Sequence, residues 1–188
     1  MKLDKLAKNI MEKQKKNIAL MGHMGSGKSV LGKLISKQLN FNHVDSDKLI
    51  EKKSNKTINE IFQTKGESYF RLIEENVILE TIYQKKLVLS LGGGSILSPK
   101  IRKALKGNFL TVFLDVDFAI LSKRLIKSKR RPLINDTNIE EKIKELDAIR
   151  RKFYLLADIT LKNHLTITDA FAEFRKKYIE FYEKYNSN

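Results

Sequence analysis

The stretch ALMGHMGSGKSVLG, residues 19–32, closes a short apolar run with glycines and then sets a lysine and a serine where a helical pattern begins. Gly22, Gly27, Lys28 and Ser29 fit the spacing G-x-x-x-x-G-K-[ST]. Between a strand and a helix, that spacing makes a loop whose backbone N–H groups, Gly25, Ser26 and Gly27 included, point at phosphate oxygens, and the helix dipole adds partial positive charge. Lys28 is expected to bridge the β- and γ-phosphates of a nucleotide, and the Ser29 hydroxyl to coordinate Mg2+. A phosphate cradle names the donor and leaves the acceptor open.

Outward from this loop, short apolar runs alternate with helical periodicity. NIALM is followed by a helix from about Gly27 to Leu39, then HVD and helices through Tyr83. LVLSL precedes a helix near Pro99 to Lys106, and FLTVFLD precedes one near Asp117 to Lys127. A polar basic loop, a helix through Ala157, ITL and a last amphipathic helix complete the chain. Five strands joined by helices imply crossover connections, a parallel sheet and an α/β/α arrangement of three layers.

The chain has 188 residues, which suits one domain with one sizeable core. No apolar run approaches the length of a membrane span. There are no cysteines, which excludes a disulfide framework and a thiolate zinc site and makes a reducing cytoplasm the expected compartment. The net charge is +15, but the surplus is mostly lysine dispersed along the chain, without a basic stripe interleaved with aromatics. That pattern favours solvated faces plus an anion pocket over a nucleic-acid surface. Residues 1–16 put Leu3, Leu6, Ala7 and Ile10 on one face and read as a basic amphipathic extension ahead of a domain over 17–188; no apolar core of a signal sequence follows them, and no membrane role is expected.

Five stretches bear on the acceptor. HVDSDK places Asp45 and Asp47 one residue apart at the carboxyl end of a strand, where sites of open α/β sheets gather. One carboxylate can hold a metal through water while the other accepts a proton from an attacking hydroxyl, although helix caps use Asp as freely. GESYFR sets Arg71 after a glycine turn, and SLGGGSIL puts three glycines after the third strand, either to let a small ligand approach the backbone or as an ordinary turn. KSKRRPLINDTN carries Arg131, which can close over phosphates or sit in an exposed charged loop. In LDAIRRKFYLLAD, Arg150 lies on a helix ahead of Tyr154, where a guanidinium can grip a carboxylate in bidentate fashion or remain solvated.

In this order, from about Ile18 to the last helix, these stretches resemble the shikimate kinase family, whose members share the P-loop fold of nucleoside monophosphate kinases. The resemblance implies ATP- and Mg2+-dependent phosphorylation of the 3-hydroxyl of shikimate, on the route to chorismate and aromatic amino acids, by a monomer. It implies Lys28 as the phosphate lysine, Ser29 as a magnesium ligand, Asp45 as a water-mediated one, and Asp47 as the base that contacts the shikimate hydroxyls. Arg71 and Arg150 match the pair that holds the shikimate carboxylate, and Gly93 and Gly94 the turn lining that pocket. Arg131, in a lid over about 128–137, matches an arginine that reaches the phosphates, Arg124 one that stacks on adenine, and Ser90 a residue near the water around the metal. Val30 stands where many members carry a second hydroxyl, which puts one α-phosphate contact in question, and Lys152 replaces a common proline, which bears on the pose of Arg150. A related kinase for another small hydroxy acid such as gluconate, or for a nucleoside monophosphate, and a basic nucleic-acid-binding module are the alternatives.

Overall fold

The computed structural model describes residues 16–127, 139–162 and 166–186. The N-terminal extension other than Lys16, and the lid segment with Arg131, lie outside the described residues.

Strand β1 (Asn17–Met21) is buried along its whole length. Its side chains alternate, so that Ile18 and Leu20 enter one apolar cluster while Ala19 and Met21 enter another on the opposite face. A strand that is apolar on both sides needs cover on both, which crossover helices supply. Strands β2 (Asn42–Asp45), β3 (Leu87–Ser90), β4 (Phe109–Asp115) and β5 (Ile159–Lys162) complete a sheet of order β2-β3-β1-β4-β5. Every pairing is parallel.

The helices are α1 (Lys28–Leu39), α2 (Ser46–Ser54), α3 (Ile58–Thr81), α4 (Pro99–Leu105), α5 (Phe118–Lys127), α6 (Ile139–Tyr154) and α7 (Ile167–Asn186). On one face of the sheet, Leu31 and Ile35 of α1 pack with Phe174 and Tyr178 of α7. On the other, Ile78 of α3, Ile101 of α4 and Tyr154 of α6 pack together with Phe113. The three-layer α/β/α architecture read from the alternation of strands and helices is therefore the one observed.

The order of the strands also locates the site. From β1 the chain moves to the β2 edge, returns to β3 beside β1, and crosses to β4 on the other flank. Connections diverge around β1, and a crevice opens at the carboxyl ends of the central strands, where α/β proteins bind ligands.

Three local readings are adjusted. The helices expected through Tyr83 end at Thr81; they are separated by Asn55 in a left-handed conformation, and the second starts at a capping box between Thr57 and Glu60. Gly66, expected in a turn ahead of Arg71, lies inside α3 and breaks its regularity with φ 80° and ψ 173°. Helix α6 ends at Tyr154 rather than near Ala157.

Ile35 is fully buried between β1 and α7. Ile35→Ala is expected to lower unfolding free energy by about 2–5 kcal/mol, as measured by urea denaturation, because it removes buried methyl groups and leaves a cavity.

Candidate active site

Gly22, Gly25 and Gly27 all adopt positive φ, which bends the chain between β1 and α1 into a cradle. Gly27 caps α1 without a side-chain hydrogen bond, and the first turn of the helix carries no acidic residue. The amide donors there are presented with the positive end of the dipole, as an anion site requires. Lys28 Nζ donates to the carbonyls of Gly22 at 2.8 Å and His23 at 2.7 Å, and Ser26 Oγ lies 3.5 Å away. Arg124 of α5 reaches the rim of the loop, donating to the Gly25 carbonyl at 3.2 Å.

The two aspartates after β2 play different parts. Asp45 Oδ2 accepts from the Ser29 hydroxyl, and Oδ1 accepts from Lys48 N at 3.3 Å as the N-cap of α2. Asp45 thus caps α2 with one oxygen and engages Ser29 with the other. Asp47 lies in the first turn of α2 and turns towards the glycines after β3. Ser90 supports this floor from beneath, donating to the Lys28 carbonyl at 3.2 Å and meeting His43 Nε2 at 3.0 Å.

The triple glycine serves mainly the protein's own side chains. A Cβ on Gly92 would lie 2.5 Å from Asp47 Oδ1 and 2.6 Å from Glu74 Oε1. One on Gly93 would lie 3.3 Å from Arg150 Nη1, and one on Gly94 only 2.3 Å from Arg71 Nη1. The turn therefore brings Asp47, Glu74, Arg150 and Arg71 against bare backbone, while Gly93 still faces the cleft. That cleft, of about 210 Å3, is lined by Gly25, Gly27, Lys28, Ser29, Val30, Asp45, Asp47 and Gly93, with Met24 and Leu91.

The two arginines differ in how they are held. Arg71 donates to Glu74 at 2.6 Å and to Glu67 at 3.0 and 3.2 Å. Burial opposes its charge, but the two carboxylates outweigh burial and hold its pKa above the ordinary arginine value. Glu74 is itself buried and also accepts from Ser95 Oγ at 2.6 Å. Arg150 is 7% exposed, and its Nε has no hydrogen-bond partner among the described residues. One turn further on, Tyr154 donates to the Gly93 carbonyl at 2.5 Å, and burial pushes its hydroxyl up to about 12, so it remains a neutral donor. Beside them, His23 Nε2 meets Asp147 Oδ1 at 2.8 Å.

Of the residues singled out in the sequence, the structure gathers Lys28, Ser29, Asp45, Asp47 and Gly93 in one cleft and puts Arg71 and Arg150 against the glycine turn that borders it. Val30 is 54% exposed at the cleft. Lys152 is exposed, with its amine 5.1 Å from the Phe153 ring, and the substitution leaves Arg150 beside Gly93. Glu74, Asp147 and His23 escaped the sequence reading. The available signal was spacing, because Glu74 lies three residues after Arg71 and Asp147 three before Arg150, within reach on a helix.

A family model described as shikimate kinase matches residues 24–180. The shikimate kinase of Thermoanaerobacter pseudethanolicus is 36% identical over 165 residues, 87% of this chain and 96% of the relative. That of Sulfurihydrogenibium sp. is 43% identical over 146 residues, 78% and 87% of the two chains. A solved shikimate kinase from Acinetobacter baumannii, in complex with shikimate, matches with a TM-score of 0.83 and 32% identity over 95% of this chain and 97% of that one. A gluconokinase from Sinorhizobium meliloti, at TM-score 0.60 and 15% identity, shares the fold alone. Sequence, fold and the grouping of phosphate loop, paired aspartates and glycine turn agree, and the chain belongs to the shikimate kinase family.

Proposed function

We propose that the chain transfers the terminal phosphoryl group of ATP to the 3-hydroxyl of shikimate, giving 3-phosphoshikimate and ADP in the supply of chorismate and aromatic amino acids. The observation that carries the acceptor assignment is Arg150, a buried guanidinium beside Gly93 of the cleft whose Nε lacks a partner among the described residues. An unpaired buried donor of this kind is costly unless an acceptor completes it, and a planar carboxylate suits a guanidinium fork. Arg71, pressed on Gly94, supplies the second cation of the clamp.

With the acid end held, the hydroxyl faces Asp47, which accepts its proton as the oxygen attacks. Holding both reactants in one cleft converts a bimolecular encounter into an oriented step. Lys28 neutralises charge gathering on the migrating group, beside loop amides and an uncapped helix end. Arg131 belongs to the same task on the strength of its R-P-L-I motif, and Arg124, at the rim of the loop, is assigned to adenine.

Mg2+ fits the donor set. Ser29 and Asp45 offer a hydroxyl and a carboxylate side by side, hard oxygen ligands, and among the described residues no group of three or more His, Cys, Asp or Glu could hold a metal. Such sparse ligation suits an ion that keeps waters and phosphate oxygens, and when bound it supplies electrostatic relief to the phosphates. The working form is taken to be a monomer of the cytoplasm, with residues 17–188 as the kinase domain. Among the described residues, no helix is long and apolar enough to cross a membrane.

Release of ADP in a coupled assay is expected with shikimate and not with gluconate or nucleoside monophosphates; turnover of gluconate in preference to shikimate would overturn the acceptor. Asp47→Asn is expected to lower kcat by about 10²-fold or more with nucleotide binding largely retained, as for loss of a general base, read by steady-state kinetics and calorimetry with ADP. Arg150→Ala should instead act on the shikimate KM, raising it about tenfold or more while the ATP KM stays near that of the parent enzyme.

A further inference from the structure

We propose that His23 is a positioning residue for substrate binding: by occupying Asp147 it keeps Arg150 available to the substrate carboxylate. Asp147 and Arg150 lie three residues apart on α6, the spacing at which a carboxylate and a guanidinium on one helix pair readily. Both are buried, Asp147 at 6% and Arg150 at 7% exposure, so little solvent screens their attraction. An Asp147 carboxylate turned onto Arg150 would satisfy the guanidinium internally and compete with the substrate for it.

The structure shows what holds Asp147 elsewhere. Its Oδ1 is 2.8 Å from His23 Nε2, while its Oδ2 is 3.5 Å from Arg151 Nη1. Arg151 makes its shorter contacts, 3.1 and 3.2 Å, with Asp115 at the end of β4, so His23 is the closer partner. The imidazole is itself wedged edge-on between Tyr154, at 5.3 Å between ring centres, and Phe118, at 6.4 Å. Burial lowers the His23 pKa below its ordinary value, although Asp147 pulls the other way. The neutral ring that this favours donates its Nε2–H to the Asp147 carboxylate. The same residue accepts from Lys28 Nζ through its carbonyl at 2.7 Å. His23 therefore touches the phosphate lysine with its backbone and the helix of the carboxylate clamp with its side chain.

The inference rests on the assignment of Arg150 to the substrate carboxylate. The test is steady-state kinetics of H23L, H23Q and the double variant H23L/D147A, with melting temperatures recorded alongside. H23L is expected to raise the shikimate KM about tenfold and to leave the ATP KM within about twofold, whereas H23Q, which retains an amide donor, stays within about threefold of the parent. Adding D147A to H23L is expected to return the shikimate KM to within about threefold of the parent, because the competing carboxylate is gone and two polar partners have been exchanged for apolar groups. Should H23L not fold, H23N, polar but too short to reach Asp147, carries the same expected rise. A shikimate KM unchanged in H23L or H23N, an equal rise in both KM values, or a double variant no better than H23L would overturn the proposal; a lowered melting temperature alone marks a merely structural contact. If Arg150→Ala raises the shikimate KM and H23L does not, only this inference falls; if Arg150→Ala leaves it unchanged, the clamp itself does.

Discussion

Three consecutive residues without side chains set the geometry of the whole site. Gly92, Gly93 and Gly94 occupy the carboxyl end of β3, and every position that a Cβ would take is already within 3.3 Å of a functional side chain. Asp47 and Glu74 crowd the first, Arg150 the second and Arg71 the third. These groups come from α2, α3 and α6, three helices far apart in the sequence. Bare backbone lets two carboxylates and two guanidinium groups converge on a volume that a single methyl group would fill. The entropy that glycine gives up on folding is the cost of that convergence.

The convergence works because charge is distributed unequally. Arg71 is braced by Glu67 and Glu74, which accept from its Nε, Nη1 and Nη2 and so fix its orientation while leaving donors over. Arg150 is held by packing and by Tyr154, with an Nε that finds no acceptor among the described residues. One cation is braced by carboxylates, and the other keeps an open donor. On the nucleotide side the same division recurs, with Asp45 capping a helix with one oxygen and engaging Ser29 with the other.

Much of this was legible from residue order. The phosphate loop was readable because its chemistry is local: glycines at positive φ, a lysine and a hydroxyl must follow one another along a few residues. The sheet was readable because buried parallel strands are continuously apolar and the helices between them are amphipathic. The use of the glycine turn was less legible. The same three letters serve a ligand, a turn or neighbouring side chains, and only the positions of Arg71 and Glu74 on α3 decide among them. Glu74 and Asp147 were hidden for a related reason, since an acid on a helix is usually solvated and its burial depends on packing from sequence-distant elements. The Gly66 break inside α3 could not be separated from a turn, because glycine permits both.

The pairing of His23 with Asp147 spans 124 positions. The glycine loop and Lys28 leave the ribosome with β1 and α1, whereas Asp147 and Arg150 arrive only with α6. Since chains are made from the N-terminus at roughly 5–20 residues per second, several seconds separate the two. A chain ending before α6 lacks Asp147 and Arg150 and, without β5 and α7, it also lacks part of the cover over α1. The two ends of the site therefore meet only once nearly the whole chain has been made, which ties completion of the cleft to completion of the domain.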